Sequence, residues 1–273
     1  MIFPIIYDAL ALPLPALFLL IIFHFPNKCA MRASLESLRE AIDRGGVVAF
    51  TGAGVSAESG IPTYRGAGGF WTQYDPDKYA TIDYFEMDPS YYWSFFRDTR
   101  GQLLHQARPN PAHIVLAKLE AHGKLQAVIT QNIDGLHHLA GSQKVVELHG
   151  SSRRFYCLNC RRLHNLVETE KALEESLPPL CLGCRGILRP DIVFFGEMLP
   201  AGAIEEAFGL ARQASLLLVI GSSLIVYPAA QVPWVARTSG AALAIINDEP
   251  TPMDGLADWV LTGKAGEILP RLL

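Results

Sequence analysis

Two C-x-x-C pairs are the feature of this 273-residue chain that most restricts its fold. Cys157 and Cys160 form one pair, Cys181 and Cys184 form the other, and 20 residues separate the pairs. This spacing is typical of a structural zinc site, because each two-residue turn lets two thiolates bind along one edge of a tetrahedral ion. Four thiolates complete the coordination shell, so we expect the metal to have a structural and not a catalytic role. The alternative is two disulfides or a redox motif, which the second pair at this distance disfavours.

Composition limits the classes of protein that fit. Half of the residues are apolar, which is enough for one large α/β domain with a small insert. The net charge of −4 disfavours a direct nucleic-acid partner. Four of the five cysteines are explained by metal, which indicates a reducing, cytoplasmic environment. We expect a monomer.

Residues 1–30 differ from the rest of the chain. Residues 9–23 are continuously apolar, yet the run is shorter than the roughly 20 residues of a spanning helix and contains Pro13 and Pro15. No Lys or Arg precedes the run, so the basic start of a secretory signal is missing. Two interpretations stay open: a membrane-tethering tail, or a non-native or mis-assigned start with Met31 as the natural beginning. We favour the second, and expect membrane contact only if this extension is native.

Apolar runs alternate with helical patterns after Met31. A helix is predicted over 34–44, then a short strand over 47–50 that leads directly into Gly52-Ala53-Gly54. Further strands are predicted over 127–130, 145–148, 216–220 and 242–246, and helices over 112–121 and 203–214. This order predicts an α/β fold with a Rossmann-like, doubly wound parallel sheet. Residues 67–108 and 151–189 break the alternation, and we expect the two inserts to form a smaller helical plus zinc-knuckle domain.

Polar motifs follow the predicted strands. Residues 52–57 fit G-x-G-x-x-A, in which the glycines let the backbone approach a pyrophosphate. The segment continues as a glycine-rich loop with one arginine, Arg65, as expected for a loop that closes over a charged ligand. Residues 130–137 (TQNIDGLH) begin at a strand end, where open α/β sheets bind ligands, and His149 follows another strand.

Together these residues resemble the sirtuins, which are NAD-dependent protein lysine deacylases. The resemblance spans about residues 34–273, which we take with 31–33 as the catalytic domain. It rests on these segments in the family's order: GAGVSAESGIPTYRG (52–66), TQNIDGLH (130–137), LHG (148–150), the four cysteines, LRPDIVFFGE (188–197), GSSLIVYPAA (221–230), IIN (245–247) and GKAGEILP (263–270).

The resemblance implies NAD and zinc as cofactors, with the active cleft between a Rossmann-like domain and the smaller domain. Zinc would be bound by the four cysteines. NAD would lie across the carboxyl edge of the sheet, against Gly52, Ala53, Gly54, Glu58, Ser59, Thr63, Tyr64, Arg65, Trp71, Gln131, Asn132, Ile133, Asp134, Gly221, Ser222, Ser223, Asn247, Glu249 and Ala265.

The resemblance also implies the reaction and its substrate. His149 would be the general base that takes a proton from a ribose hydroxyl, and a histidine suits this role because its pKa lies near operating pH. The products would be free lysine, nicotinamide and an O-acyl-ADP-ribose. The acyl-lysine of a protein substrate would lie against Ala80, Phe96, Thr99, Val193, Phe194, Phe195, Gly196 and Ile225.

The segment Gly66-Ala67-Gly68-Gly69 resembles the sirtuin subgroup that removes succinyl, malonyl and glutaryl groups. That subgroup carries a small residue, matched by Ala80, and a Tyr-x-x-Arg pair that binds the acyl carboxylate. On an ungapped alignment the pair falls on Phe96 and Thr99, so the hydroxyl and the guanidinium are both missing. Arg100 is one residue further, about 100° around a helix, and is expected to point elsewhere. We therefore expect acetyl or other neutral acyl groups, with desuccinylase or demalonylase activity as the alternative.

Three other functions stay open. A nucleotide-sensing module without catalysis would keep the NAD residues but would not need His149. An NAD-dependent ADP-ribosyltransferase would use the same cleft without the acyl-lysine groove at Val193. A hydride-transferring dehydrogenase ranks last, because the C-terminal half offers no separate substrate domain.

Overall fold

A computed structural model describes residues 34–64 and 68–273. The expectations for residues 1–30 and for Arg65 lie outside these described residues. The described residues form nine strands: β1 (Val47–Thr51), β2 (Leu125–Thr130), β3 (Val145–Glu147), β4 (Gly150–Cys157), β5 (Leu163–Asn165), β6 (Leu188–Ile192), β7 (Leu216–Ile220), β8 (Ala242–Asn247) and β9 (Trp259–Thr262).

Eleven α-helices lie within the described part of the chain. They are α1 (Leu35–Asp43), α2 (Pro76–Ala80), α3 (Ile82–Met87), α4 (Ser90–Phe95), α5 (Gly101–Gln106), α6 (Pro111–Ala121), α7 (Leu136–Leu139), α8 (Leu166–Glu175), α9 (Ala201–Gln213), α10 (Gln231–Thr238) and α11 (Ala265–Ile268). None of these helices is long and apolar enough to cross a bilayer.

Six parallel strands form the main sheet in the order β3-β2-β1-β7-β8-β9. Every residue of β1 and β7 is buried, as expected for central strands covered on both faces. One apolar core includes residues of α1, α6 and α11, and the other includes residues of α9 and α10. The Rossmann-like, doubly wound sheet is confirmed. Strand order reverses between β1 and β7, so a crevice opens at their carboxyl ends.

The predicted elements differ from the observed ones mainly at their ends. The strand expected over 127–130 begins earlier, at Leu125, and the helix expected over 203–214 spans Ala201–Gln213. The segment after the glycine turn is a 3-10 helix, Ala53–Ser59, in place of an ordinary helix start. Strands β4, β5, β6 and β9 were missed.

A second, three-stranded antiparallel sheet has the order β5-β4-β6. It shares a third core with the aromatic helices α3–α5, and Trp93, Phe96 and Phe155 are fully buried in this core. The Trp93 indole N–H donates to the carbonyl oxygen of Leu188 at 3.2 Å. Residues from both predicted inserts thus pack in one core beside the main sheet.

A π-helical turn, Phe96–Arg100, joins α4 to α5. The Gly101 N–H donates to the Phe96 carbonyl oxygen, five residues earlier. Each π turn holds one residue more than an α turn would, so side chains after it are displaced by one position around the helix.

Candidate functional site

A cavity of about 850 Å³ opens at the carboxyl ends of β1 and β7, where the strand order reverses. The turns after these two strands touch at its base. The Gly54 N–H donates to the Gly221 carbonyl oxygen at 2.8 Å. Gly221 has φ 61°, and a Cβ there would lie 2.3 Å from the Val55 nitrogen. Glycine is required at this position because the two backbones are in direct contact.

Most residues expected to bind NAD line this cavity. They are Gly52, Ala53, Gly54, Glu58, Thr63, Tyr64, Trp71, Gln131, Asn132, Ile133, Gly221, Ser222, Ser223, Asn247, Glu249 and Ala265. The Gln131 side-chain amide donates to the Ser222 hydroxyl at 2.9 Å and so joins the loops after β2 and β7. A Glu58 carboxylate oxygen accepts the Gly266 N–H at 2.6 Å and ties the glycine turn to the C-terminal segment.

Ser59 and Asp134 do not line the large cavity. Ser59 accepts a hydrogen bond from the Asn110 amide at 3.0 Å. Asp134 is 7% exposed, accepts a hydrogen bond from Ser56, and borders a much smaller neighbouring cavity. Both residues therefore sit behind the wall and not on it.

His149 lies between β3 and β4 and lines the cavity. Its Nδ1 is 2.9 Å from the Gln131 carbonyl oxygen. A carbonyl oxygen only accepts, so Nδ1 carries the proton and Nε2 is left as the basic atom. Burial lowers the pKa of His149, and the hydrogen bond to Gln131 partly opposes this shift. Gly150 has φ 73°, and a Cβ there would lie 2.1 Å from the Asp191 carbonyl oxygen, which explains the glycine after this histidine.

The same cavity is also lined by residues expected to contact the acyl-lysine: Ala80, Val193, Phe194, Phe195, Gly196 and Ile225. The Phe195 N–H donates to the Ala80 carbonyl oxygen at 2.8 Å, and the Val193 N–H donates to the His149 carbonyl oxygen at 3.0 Å. This segment is therefore fixed between the helical insert and the histidine.

Phe96 and Thr99 do not reach the cavity. Phe96 is 0% exposed in the third core, and the Thr99 hydroxyl donates to the Phe95 carbonyl oxygen. Arg100 lines the cavity together with Tyr92, so the expectation that Arg100 points elsewhere is wrong. The cause is the π turn, which places Arg100 where an uninterrupted α-helix would place residue 99.

Arg100 is a cation without an acidic partner among the described residues. One guanidinium nitrogen lies 3.4 Å from both the Tyr64 and the Ser152 hydroxyl. Arg100 Nε, Tyr92 Oη and Trp71 Nε1 are buried without a hydrogen-bond partner in the described part of the chain. Sequence reasoning missed Tyr92.

The four cysteine sulfurs lie within 4.8 Å of one another. Cys157 and Cys184 are 3.4 Å apart, and Cys160 and Cys181 are 3.7 Å apart. Zinc–sulfur bonds of about 2.3 Å in a tetrahedron separate ligands by roughly 3.7 Å, so the group fits zinc.

The two cysteine turns have the same geometry. Arg161 and Arg185, each directly after a pair, have φ 61° and 62°. Each donates its N–H at 3.0 Å to the carbonyl oxygen of the first cysteine of its pair. Two residues other than glycine in this uncommon conformation, at equivalent places, indicate matched metal-binding turns.

Comparisons with known proteins agree on one family. The Sir2 family model matches residues 52–228. NAD-dependent protein deacylase 2 of Pyrobaculum aerophilum is 49% identical over 226 residues, which cover 83% of this chain and 89% of that protein. An NAD-dependent protein deacetylase of Sulfurisphaera tokodaii is 49% identical over 224 residues, covering 82% and 88%.

Solved structures show the same similarity. A Sir2 variant with a deacetylated p53 peptide and 3'-O-acetyl ADP ribose has a TM-score of 0.82 at 42% identity and covers 88% of this chain and 97% of that chain. Sir2Tm bound to a propionylated peptide has a TM-score of 0.79 at 41% identity, with coverage of 88% and 97%.

Proposed function

Because this chain belongs to the Sir2 family, we propose that it is an NAD-dependent protein-lysine deacylase acting on acetyl-lysine and other neutral acyl-lysines. The observation that carries the proposal is the position of His149. Its ring lies in the cavity that the glycine turn and the 193–196 segment also line, and the Val193 N–H donates to the His149 carbonyl oxygen at 3.0 Å. A base in one cavity with a nucleotide-binding turn and a peptide-binding segment suits transfer of a group from one to the other.

The cavity fits NAD in size and chemistry. Its volume of about 850 Å³ lies in the range of cofactor sites. Buried donors without partners, such as Trp71 Nε1, need an acceptor-rich ligand. The backbone of Gly52–Gly54 would hold the phosphates, Asn132 the nicotinamide end, and Ser222 and Asn247 the adenosine half. When bound, NAD supplies the ribose that accepts the acyl group as nicotinamide leaves.

The chain's own residues prepare the proton transfer. The hydrogen bond from Nδ1–H of His149 to Gln131 fixes the ring and directs Nε2 as the base. Burial keeps the imidazole neutral at operating pH by lowering its pKa. Nε2 can therefore take a proton from a hydroxyl in the cavity.

The acyl-lysine would lie along the 193–196 segment and Ile225, with its acyl group beside Ala80. The preference for neutral acyl groups is supported by Phe96 and Thr99, since neither offers a donor to the cavity. A buried carboxylate is costly without a cation or hydrogen bonds, so binding of an acidic acyl group would depend on Arg100.

A second candidate is removal of acidic acyl groups, such as succinyl. Arg100 and Tyr92 favour it, because both line the cavity and both carry buried donor atoms without partners. A charge-assisted hydrogen bond to arginine contributes about 1.5–3 kcal/mol, or roughly 10- to 100-fold in preference.

One assay tests the reaction: the full chain with NAD and an acetyl-lysine peptide, following nicotinamide and peptide mass together. Nicotinamide release with loss of the acetyl group supports the proposal. Nicotinamide release with ADP-ribose added to a protein or peptide indicates a transferase, and no nicotinamide release indicates a binding module. Either of these results contradicts deacylation.

Acyl choice is tested by kcat/KM on matched acetyl-, butyryl- and succinyl-lysine peptides. If the wild-type protein prefers the succinyl peptide, removal of acidic acyl groups becomes the proposed function in place of removal of neutral acyl groups. In that case Arg100→Gln should remove the preference. Arg97→Gln is the control, because Arg97 is in the same π turn but exposed and paired with Asp98.

The remaining proposals concern organisation. We infer that the cysteines bind a structural zinc and that residues 67–108 and 151–189 form the smaller domain, as their shared core supports. The catalytic unit would span 31–273 and act as a cytoplasmic monomer on proteins. The use of four cysteines as metal ligands supports a reducing compartment.

A further inference from the structure

A network of buried polar side chains lies behind the cavity wall. Its members share exposures of 7% or less: Thr51, Ser56, Asn110, His113, Thr130, Asn132, Asp134 and His137. Only Asn132 among them lines the large cavity. A buried polar atom without a hydrogen-bond partner costs stability, so each donor in this network should face an acceptor. The hydrogen-bond directions therefore indicate where the protons lie.

The Ser56 hydroxyl is the centre of one branch. It donates to Asp134 Oδ2 at 2.8 Å, accepts from Asn132 Nδ2 at 3.1 Å, and lies 3.5 Å from His113 Nε2. An ionised carboxylate only accepts, so the single hydroxyl proton of Ser56 is directed at Asp134. Ser56 can then only accept from His113, and His113 Nε2 must carry the proton.

A separate contact gives the same tautomer. The Asn110 backbone N–H donates to His113 Nδ1 at 3.4 Å, within the capping box that begins α6. Nδ1 is therefore unprotonated, and the proton of the neutral ring lies on Nε2. Two independent contacts thus fix His113 as a donor toward Ser56.

The second branch begins at His137 and ends at the backbone of Asn132. Thr51 Oγ1 donates to Thr130 Oγ1 at 2.8 Å and lies 3.0 Å from His137 Nε2. Thr130 Oγ1 accepts the Asn132 N–H at 3.0 Å. Thr51 thus links the His137 ring to Thr130, and Thr130 is in turn bonded to the Asn132 main chain.

Both branches converge on Asn132, one on its side chain and one on its main chain. The two hydrogens of Asn132 Nδ2 are directed at the Gly52 carbonyl oxygen, 3.1 Å away, and at Ser56. The side-chain orientation is settled, because Nδ2 faces two acceptors. Oδ1 is therefore the atom left for a ligand N–H, such as that of a carboxamide.

The two imidazoles are themselves adjacent, with ring centroids 4.8 Å apart. Burial lowers the pKa of His113 to about 4, partly opposed by Asp134, and it also lowers the pKa of His137, with His113 and His138 adding to that effect. A proton on His113 Nδ1 would face the Asn110 N–H, so the hydrogen-bonded network requires the neutral ring.

We propose that His113 and His137 are positioning residues that hold Asn132, through Ser56 and Thr51, in the orientation that presents Oδ1 to the carboxamide of NAD. This inference rests on the proposed function for the identity of the ligand. It assigns a role to two histidines that line neither cavity.

The test compares His113→Phe, which keeps a ring but removes the donor, with His113→Gln, which keeps a donor. We expect His113→Phe to lower kcat/KM for NAD about 10- to 100-fold, as a misplacement of about 1 Å can do, with the peptide KM within about 2-fold. His113→Gln should recover most of the loss. If kcat/KM for NAD per folded molecule is unchanged in His113→Phe while the melting temperature falls, the role is structural and the proposal is overturned.

A double-mutant cycle tests the route through Ser56. If His113 acts through that hydroxyl, adding Ser56→Ala to His113→Phe costs no more than Ser56→Ala alone. Losses that multiply would refute the route. Calorimetric titration of the full chain with NAD gives a readout that does not depend on turnover. A wild-type protein that binds NAD without deacylating the peptide would reject the proposed function alone. NAD binding equal in wild type and His113→Phe would reject the positioning role.

Discussion

The His149 ring is oriented by one hydrogen bond to a backbone carbonyl, and Gly150 beside it is fixed by contact with β6. His149→Ala should therefore lose the base without disturbing its neighbours. Loss of a general base costs roughly 10²- to 10⁴-fold in kcat, with the melting temperature nearly unchanged. His122→Ala is the matched control, because His122 is exposed at the end of α6. Activity of His149→Ala within a few-fold of wild type would remove this residue from the reaction.

The pH dependence of the reaction also belongs to this residue. The base must be neutral, and burial lowers the pKa of His149 below its usual value of about 6.5. Activity should stay level as pH falls to 6.5 and decline only at lower pH. The measurement is kcat/KM against pH with saturating peptide. An acid limb with an apparent pKa above 6.5 would contradict this assignment.

The alignment without gaps places the carboxylate-binding pair of the desuccinylases on Phe96 and Thr99, and neither side chain reaches the cavity. Replacing them with Tyr and Arg would restore the desuccinylase pair in the sequence. Phe96 is fully buried in the third core, however, and Thr99 faces away from the cavity. Because of this placement, the double change alone would not create a carboxylate site.

At the scale of elements, the two cysteine turns connect the small sheet to the aromatic helices. Cys157 and Cys181 are fully buried members of the core that also contains Trp93. Replacing either one by Ser should remove zinc and lower the melting temperature and activity together, because metal binding is coupled to folding of this part.

The control for this change is Leu182→Ala, since Leu182 is a half-exposed residue within the second turn. Metal content per chain and thermal melts are the measurements. Active, freshly purified protein without zinc would show that the cysteines have another role.

The whole molecule should lose stability in acid because of its buried histidines. Burial lowers the pKa of His113 to about 4, and His137 is shifted in the same direction. The unfolded chain therefore binds more protons than the folded one below pH 6.5, so stability is fully present above 6.5 and is lost as pH falls toward 4. Melting temperatures across that range should show a shallower decline for His113→Phe. Equal slopes for both proteins would contradict this account.

Residues 1–30 are predicted to be dispensable for folding and catalysis. Helix α1 begins with a capping box at Ser34, and every described residue that lines the large cavity is at position 52 or later. Deleting residues 1–30 should leave kcat/KM and the melting temperature unchanged within error. A truncated protein that fails to fold or loses activity would show that the segment belongs to the domain.

The sequence alone was sufficient to predict the alternating strands and helices, the glycine turn and the matched cysteine pairs, and it placed His149 at the end of a strand. These signals are local: apolar periodicity, spacing within a few residues, or glycine where a turn requires it. The same local signals predict the parallel sheet. Several predicted strands end in a polar motif, and the carboxyl ends of parallel strands lie along one edge of a sheet. The role of His149 as the base rests on the family resemblance.

Only the tertiary structure decided which side chains meet. Whether Thr99 or Arg100 faces the cavity depends on one π turn, which no local pattern announces. The network joins Ser56 to His113, which is 57 positions later in the chain, and to Asp134, which is 78 positions later. Its histidines are ordinary in the sequence, and they gain their depressed pKa values only from burial against partners that the fold brings together.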